Sequence, residues 1–299
     1  MKMRWTGVMP ATTTAFDEKL NIDRDFVIKH AQWLIDHGCT AIVTPGSLGE
    51  SATLSFDEKL TIWNAVVEAV GERVPVVAAI ASLSTAEAVR LAEAAVDCGC
   101  SGLMVLPPYV YRSDWREMKA HVEAVFRATS LSCMLYNNPV AYGTDFLPQH
   151  IKELAAEHEN FEAVKESSTD VRRVTWIREL TGDRLAISVG VDDAIVEGIA
   201  MGAVGWVAGL VNALPKESVD LFNYAMNGER EKAFALYNWF LPLLRMDTVP
   251  KFVQLIKLVQ QEVGMGNARV RPPRLELAGA ELDEALRIIR HSLATHSKS

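Results

Sequence analysis

The feature that most constrains the fold of this 299-residue chain is a pattern that occurs eight times, a short apolar run followed by an amphipathic stretch of helical period. The apolar runs lie at 5–11, 40–44, 75–80, 101–106, 131–136, 161–165, 185–190 and 203–209. Runs that are apolar throughout, rather than alternating, are typical of parallel strands covered on both faces. Each unit has roughly the 30 residues of a strand and its crossover helix.

The stretches between these runs predict helices. They lie at 23–38, 55–71, 84–98, 113–129, 147–159, 170–181, 192–201 and 213–227. Two of the helix starts have the spacing of a capping box, Ser55 with Glu58 and Ser84 with Glu87. Eight such units without a break in composition predict a (β/α)8 TIM barrel over residues 1–227. A doubly wound sheet is the rival fold, but the first strand is followed by "PATTTAF" and not by a glycine fingerprint.

Helical periodicity continues beyond the eighth unit, at 229–244, 248–264 and about 280–295. A barrel of this kind needs only about 250 residues. We therefore expect residues 228–299 to form a C-terminal helical extension packed on the barrel, and not a second domain.

Composition restricts the partners and the compartment. The net charge of −8 and the isoelectric point near 5.5 argue against nucleic acid, which requires a basic surface. No apolar run approaches the ~18 residues of a membrane span, and the N-terminus lacks the apolar core of a signal peptide. The four cysteines, Cys39, Cys98, Cys100 and Cys133, form no C-x-x-C pair and indicate free thiols in a reducing compartment. The sequence predicts a cytoplasmic protein with no nucleic-acid or membrane partner.

A lysine stands where the sixth strand ends. Lys165 directly follows the apolar Ala163 and Val164, and burial disfavours a charged ammonium group. A neutral lysine amine is a nucleophile for carbonyl carbons. Tyr136 ends the fifth strand, so both side chains are expected at the carboxyl ends of the strands, where barrel active sites lie. A tyrosine hydroxyl beside the amine is a proton shuttle, whereas a purely structural lysine reaches solvent or pairs with an acid.

Two further patterns bear on the chemistry. The turn "TPGSLGES" at 44–51 is expected to expose backbone N–H groups that bind a carboxylate. All seven histidines fall on helices or near the C-terminus, and residues 192–193 are the only acidic pair near a strand end. The sequence therefore predicts no metal site. It also lacks the G-x-S-x-G turn of hydrolases.

Four spaced motifs resemble the dihydrodipicolinate synthase / N-acetylneuraminate lyase family of class I, Schiff-base-forming barrels. They are "GSLGESATLSFDEK" at 46–59, "LYNNP" at 135–139, "AVKESSTD" at 163–170 and "VGVDDA" at 189–194. The resemblance covers essentially the whole chain. It implies a barrel with a helical extension, a homotetramer built as a dimer of dimers, and no cofactor beyond a covalent imine on the enzyme.

The resemblance also implies roles for single residues. Lys165 corresponds to the Schiff-base lysine and Tyr136 to the shuttle tyrosine. Ser47 and Leu48 lie where the family binds the carboxylate of a 2-oxo acid. The other positions expected to contact substrate are Gly190, Val207, Tyr111 and Tyr142.

Two departures concern the substrate. Synthases of the lysine pathway carry an arginine where this chain has Ala141, and a relay tyrosine where it has Val110; Tyr111, one residue away, is a candidate substitute. Loss of a bidentate guanidinium is not a conservative change. A substrate with one carboxylate is therefore favoured.

These features predict an imine-forming enzyme whose small-molecule substrate is a 2-oxo acid or a cyclic imine. The preferred reaction is deamination and dehydration of 1-pyrroline-4-hydroxy-2-carboxylate. The alternatives are 4-hydroxy-tetrahydrodipicolinate synthase, which condenses pyruvate with aspartate semialdehyde, and an aldolase of 2-oxo-3-deoxy sugar acids. A catalytically dead binding barrel is the non-enzyme alternative, and the presence of both Lys165 and Tyr136 argues against it.

Overall fold

A computed structural model describes residues 2–108 and 111–296, and within these the chain forms a closed ring of parallel strands. The strands are β1 (Gly7–Pro10), β2 (Ile42–Thr44), β3 (Val76–Ile80), β4 (Gly102–Val105), β5 (Ser132–Asn137), β6 (Phe161–Glu166), β7 (Ala186–Val189) and β8 (Gly205–Ala208). Their order is β1-β8-β7-β6-β5-β4-β3-β2. The Thr40 N–H donates to the Val8 carbonyl and the Thr12 N–H to the Val43 carbonyl, each over 2.9 Å, which joins β1 to β2. The predicted TIM barrel is confirmed.

Helices follow the strands as the periodicity predicts. They are α1 (Arg24–Asp36), α2 (Phe56–Val70), α3 (Thr85–Asp97), α4 (Trp115–Arg127), α5 (Pro139–Tyr142), α6 (Pro148–Glu157), α7 (Arg172–Thr181), α8 (Ile195–Ala200), α9 (Pro215–Met226), α10 (Arg230–Leu244), α11 (Phe252–Glu262) and α12 (Gly279–Ala294). The one-turn α5 was not predicted. It starts because Pro139 occupies the first helical position and the Asn138 side chain accepts the Ala141 N–H over 2.9 Å.

The two predicted capping boxes differ. Ser55 and Glu58 exchange both hydrogen bonds, so the first box is complete. At α3 the Ser84 hydroxyl accepts the Glu87 N–H, but the Ser84 N–H donates to the Ser82 hydroxyl instead of to Glu87. The second prediction is therefore only half right.

The hydrophobic core has two layers, because neighbouring side chains of a strand point to opposite faces. Val164 of β6 points outward into the layer between strands and helices. Ala163 points inward, together with Met134 and Tyr136 of β5. Lys165, two residues after Ala163, lies on the same inward face, which directs it into the barrel.

The C-terminal helices form the predicted extension. The Trp239 indole N–H of α10 donates to the Ser292 carbonyl of α12 over 2.8 Å. From α11, the Gln260 side chain accepts the Thr13 hydroxyl over 2.8 Å, beside the end of β1. The division into residues 1–227 and 228–299 stays a prediction. Among the described helices, none combines the length and the apolar character that a membrane span requires.

Candidate active site

A cavity of about 510 Å³ lies at the carboxyl ends of the strands. Its walls come from the ends of several strands, from the turn at 46–48 and from the short helix α5. Residues 247–250, Phe252 and Arg274 of the extension complete the lining. The extension is therefore part of the cavity wall and not only an external support.

Lys165 and Tyr136 meet inside this cavity. They are register partners on β6 and β5, and each residue is only 6% exposed. The Lys165 Nζ lies 4.2 Å from the centre of the Tyr136 ring. An amine held beside a phenol, with both residues nearly buried, is suited to attack on a carbonyl or imine carbon with local proton transfer.

A hydrogen bond orients the Tyr136 hydroxyl. Its oxygen accepts from the Asn138 side-chain amide over 3.0 Å. Because the amide N–H is the donor in this pair, the hydroxyl hydrogen of Tyr136 remains available for transfer. Asn138 belongs to the motif "LYNNP", but no role was predicted for it.

Gly190 leaves room for the lysine. A Cβ atom at this position would lie 2.5 Å from Lys165 Cε and 2.1 Å from the Ser167 hydroxyl oxygen. Real Cβ atoms do not approach so closely, so only glycine permits this path of the lysine side chain. Gly190 and Val207 both line the cavity, as expected.

The turn after β2 presents backbone donors to the cavity. Ser47 and Leu48 line it, and within the described residues their N–H groups donate to no protein acceptor. The Ser47 and Tyr142 hydroxyls form a short hydrogen bond, which places Tyr142 against the same turn. Adjacent free N–H groups of this kind bind a carboxylate.

A buried ion pair fixes this turn to the extension. Glu50 has a left-handed backbone conformation with φ 56°, and its carboxylate accepts from Lys257 Nζ over 2.6 Å. The Arg271 N–H donates to the second oxygen over 2.9 Å. The side chains of Glu50 and Lys257 are 0% and 2% exposed. The extension therefore holds the donor turn in place through a contact that spans 207 residues.

Replacing Lys257 by methionine is expected to destabilise the fold by about 3–5 kcal/mol, because it leaves the Glu50 carboxylate buried without its cation. Urea unfolding followed by circular dichroism measures the change. The double variant Lys257→Met/Glu50→Gln should regain much of the loss, since it removes both charges. Equal stability of the single variant and the wild type would show that this pair does not hold the extension.

Besides Asn138, other polar residues of the cavity were not predicted as site residues. Asp247 and Arg274 reach it from the extension, and the Ser167 hydroxyl, two residues after Lys165, lines it as well. The Ser167 oxygen is buried, and within the described part of the chain it has no hydrogen-bond partner. The motif "AVKESSTD" contained a signal for Ser167, since alternation places residues 165 and 167 on one face. No local pattern indicated the other two.

Asp192 lies buried beneath the cavity. Its carboxylate accepts from the N–H groups of Gly209 and Leu210 and from the Trp206 indole over 2.7–3.1 Å. Burial raises the pKa of Asp192 to about 6 against the effect of these donors. The acidic pair 192–193 thus supplies one carboxylate under the site.

Tyr111 does not line the cavity of this chain; it is 56% exposed. Its proposed relay role stays a prediction, and Val110 lies outside the described residues. Ala141 lines the cavity with no charge. Within the described ranges, potential metal ligands converge only at Glu123, Glu157 and His158, away from the cavity.

Comparison with known proteins extends over nearly the whole chain. The model of the dihydrodipicolinate synthetase family matches residues 4–292. The 4-hydroxy-tetrahydrodipicolinate synthase of Methanocaldococcus jannaschii is 31% identical over 273 residues, which cover 91% of this chain and 93% of that protein. The enzyme of the same name from Natronomonas pharaonis is 36% identical over 230 residues, 77% of this chain and 78% of the relative.

A solved structure shows the same architecture. The dihydrodipicolinate synthase of Bacillus anthracis superposes with a TM-score of 0.93 at 29% sequence identity, covering 99% of this chain and all of that one. The predicted imine-forming lyase, which works without a separate cofactor, is confirmed by this kinship. The protein is an enzyme of the dihydrodipicolinate synthetase family.

Proposed function

We propose that Lys165 is the imine-forming nucleophile of this enzyme, that Tyr136 is its proton shuttle, and that the substrate is 1-pyrroline-4-hydroxy-2-carboxylate. The substrate carboxylate binds the N–H groups of Ser47 and Leu48. This arrangement is supported by the distance of 4.2 Å between Lys165 Nζ and the Tyr136 ring and by the free donors of the turn.

The proposed reaction with Lys165 and Tyr136 is balanced in atoms. The Lys165 amine adds to ring carbon C2, and the C2–N1 bond breaks as Tyr136 gives its proton to the departing nitrogen. Tyr136 then takes a proton from C3, the C3–C4 double bond forms, and the C4 hydroxyl takes up a proton and leaves as water. Isomerisation moves hydrogen from C5 and its nitrogen to C3 and C4, which creates an imine at C5. Two waters hydrolyse the two imines and release 2,5-dioxopentanoate, ammonia and free Lys165, so that one water is consumed overall.

The presence of Ala141, where the synthases carry an arginine, is the observation that carries the choice of substrate. Ala141 contributes no cation, and the Asp247 carboxyl group faces the same space. A hydroxyl or an amine of the substrate is able to form hydrogen bonds with this carboxyl group. The pyrroline has one carboxylate, one hydroxyl and one nitrogen.

The synthase reaction is the second candidate, and the names of the relatives favour it, since those compared are synthases at 31–36% identity. One structural feature agrees with them. Arg274 lines the cavity, and among the described residues its guanidinium has no hydrogen-bond or ion-pair partner. It is able to bind the carboxylate of aspartate semialdehyde in place of the arginine missing at position 141.

We expect kcat/KM for ammonia release from the pyrroline to exceed that for condensation of pyruvate with aspartate semialdehyde by about 100-fold, because a lost charge-assisted bond weakens the second reaction by roughly 1.5–3 kcal/mol. Both reactions are measured on one preparation. Arg274→Met separates the candidates, since it weakens only a reaction in which Arg274 binds a second carboxylate. Faster condensation in the wild type, lost in Arg274→Met, would establish the synthase instead.

We also propose the homotetramer implied by the resemblance. Leu83, Tyr111 and Val140 follow the adjacent strands β3, β4 and β5 and are 70%, 56% and 72% exposed. Apolar surface grouped in this way is typical of an interface. Sedimentation velocity is expected to show a tetramer, and a monomer at micromolar concentration would contradict it. A cytoplasmic location stays a prediction.

A further inference from the structure

Asp247 is an acid inside the cavity that the steps above do not use. It follows α10 and lies over the end of β8, where a Cβ atom on Gly209 would be 2.0 Å from its Oδ1. The residue as a whole is half-buried, while its carboxyl group is enclosed. In the described part of the chain no group donates a hydrogen bond to it. Its carboxyl is therefore free to contact a bound ligand.

Its surroundings favour the protonated form. Burial, followed by the negative charge of Asp192, raises the pKa of Asp247 well above its ordinary value; Lys165 opposes this and Asp193 adds to it. Asp192 receives N–H donors that stabilise its own charge, so the proton of the pair resides on Asp247. Arg245 lies 3.8 Å from Asp193 and pairs with that residue instead.

We propose that Asp247 is the acid that protonates the hydroxyl leaving C4; this inference rests on the proposed function. The O–H bond of Asp247 breaks, its proton goes to the C4 hydroxyl oxygen, and the C4–O bond breaks with its electron pair on that oxygen. The electrons of the C3–H bond form the C3–C4 double bond, and Tyr136 takes the C3 proton. Hydrolysis of the protonated imine later releases a proton, and the Asp247 carboxylate takes it up, which restores the acid.

The other polar groups of the cavity are less suited to this step. Tyr136 is occupied with the C3 proton. The Arg274 guanidinium does not give up a proton in proteins. Hydroxide is a poor leaving group, so an acid in contact with it contributes roughly 10²–10⁴-fold in rate.

The test compares two leaving groups in Asp247→Asn. For 1-pyrroline-4-hydroxy-2-carboxylate we expect ammonia release to fall by about 10²–10⁴-fold. For the 4-chloro analogue, whose chloride leaves without a proton, the loss should be much smaller. Borohydride trapping with pyruvate should label the variant as completely as the wild type, which shows that fold and nucleophile are intact. Asp97→Asn, at an exposed aspartate that ends α3 and does not line the cavity, is the matched control and should behave as wild type.

The outcomes are distinct. A wild type that deaminates the pyrroline together with an equally active Asp247→Asn overturns the role of Asp247 alone. Equal losses on both leaving groups also overturn it, since they would indicate positioning and not proton donation. A wild type that traps pyruvate but releases no ammonia from the pyrroline overturns the proposed function, and this inference with it.

Discussion

Replacing Lys165 by alanine is expected to abolish turnover and to abolish the covalent adduct with pyruvate. Lys165 is the only lysine among the described residues that line the cavity, so the substitution removes the only side-chain amine beside Tyr136. Every later step takes place on the imine, so the residual rate should be that of the uncatalysed reaction. Alanine adds no volume to the cavity, so a folded protein is expected.

The covalent adduct is measured directly by borohydride reduction in the presence of pyruvate, followed by intact-mass measurement and peptide mapping. The wild type should gain one pyruvate-derived mass on the peptide containing Lys165. Lys152→Ala, an exposed lysine of α6, is the matched control and should label fully. An adduct that persists in Lys165→Ala, or that maps to another lysine, would remove Lys165 from the mechanism.

Replacing Tyr136 by phenylalanine should slow turnover by about 10²–10⁴-fold, the usual contribution of a positioned acid–base group. Imine formation with pyruvate should persist, because Lys165 and its packing against the aromatic ring remain. The hydroxyl is placed for transfer by the bond from Asn138, which leaves its hydrogen free. The structure thus predicts a defect in proton transfer and not in binding.

A defect in proton transfer is separated from a defect in imine formation by two measurements. They are steady-state kinetics and the extent of borohydride trapping at saturating pyruvate. Tyr224→Phe, a half-buried tyrosine on α9 that does not line the cavity, is the matched control. Wild-type kcat in Tyr136→Phe would assign the shuttle to another group. Loss of trapping along with turnover would indicate that the hydroxyl is needed for imine formation itself.

The barrel and the lysine–tyrosine pair were predictable because their determinants are local. Each strand and helix is specified by the period of its own residues, and consecutive parallel strands of a barrel are neighbours. Tyr136 and Lys165 end consecutive strands, so their meeting follows once the barrel is assumed. The half-formed box at Ser84 shows the limit even of local patterns, because the hydroxyl of Ser82 competes for the same N–H.

The resemblance located the donor turn, but not what holds it. Glu50 is paired with Lys257 across 207 residues, and nothing near either residue in the sequence indicates the other. Tyr111 lies close in sequence to the expected relay position and is 56% exposed, so its relay role stays a prediction.

The sequence by itself determined the eight strands, the inward face of Lys165 and Tyr136, and the family. Only the tertiary structure decided that Asp247 and Arg274 reach the cavity, because both belong to the extension and depend on how it docks on the barrel. Such docking is fixed by contacts distant in sequence, including the buried pair of Lys257 with Glu50. The periodicity of a helix reveals which face is buried, but not which cavity the loop at its end will close.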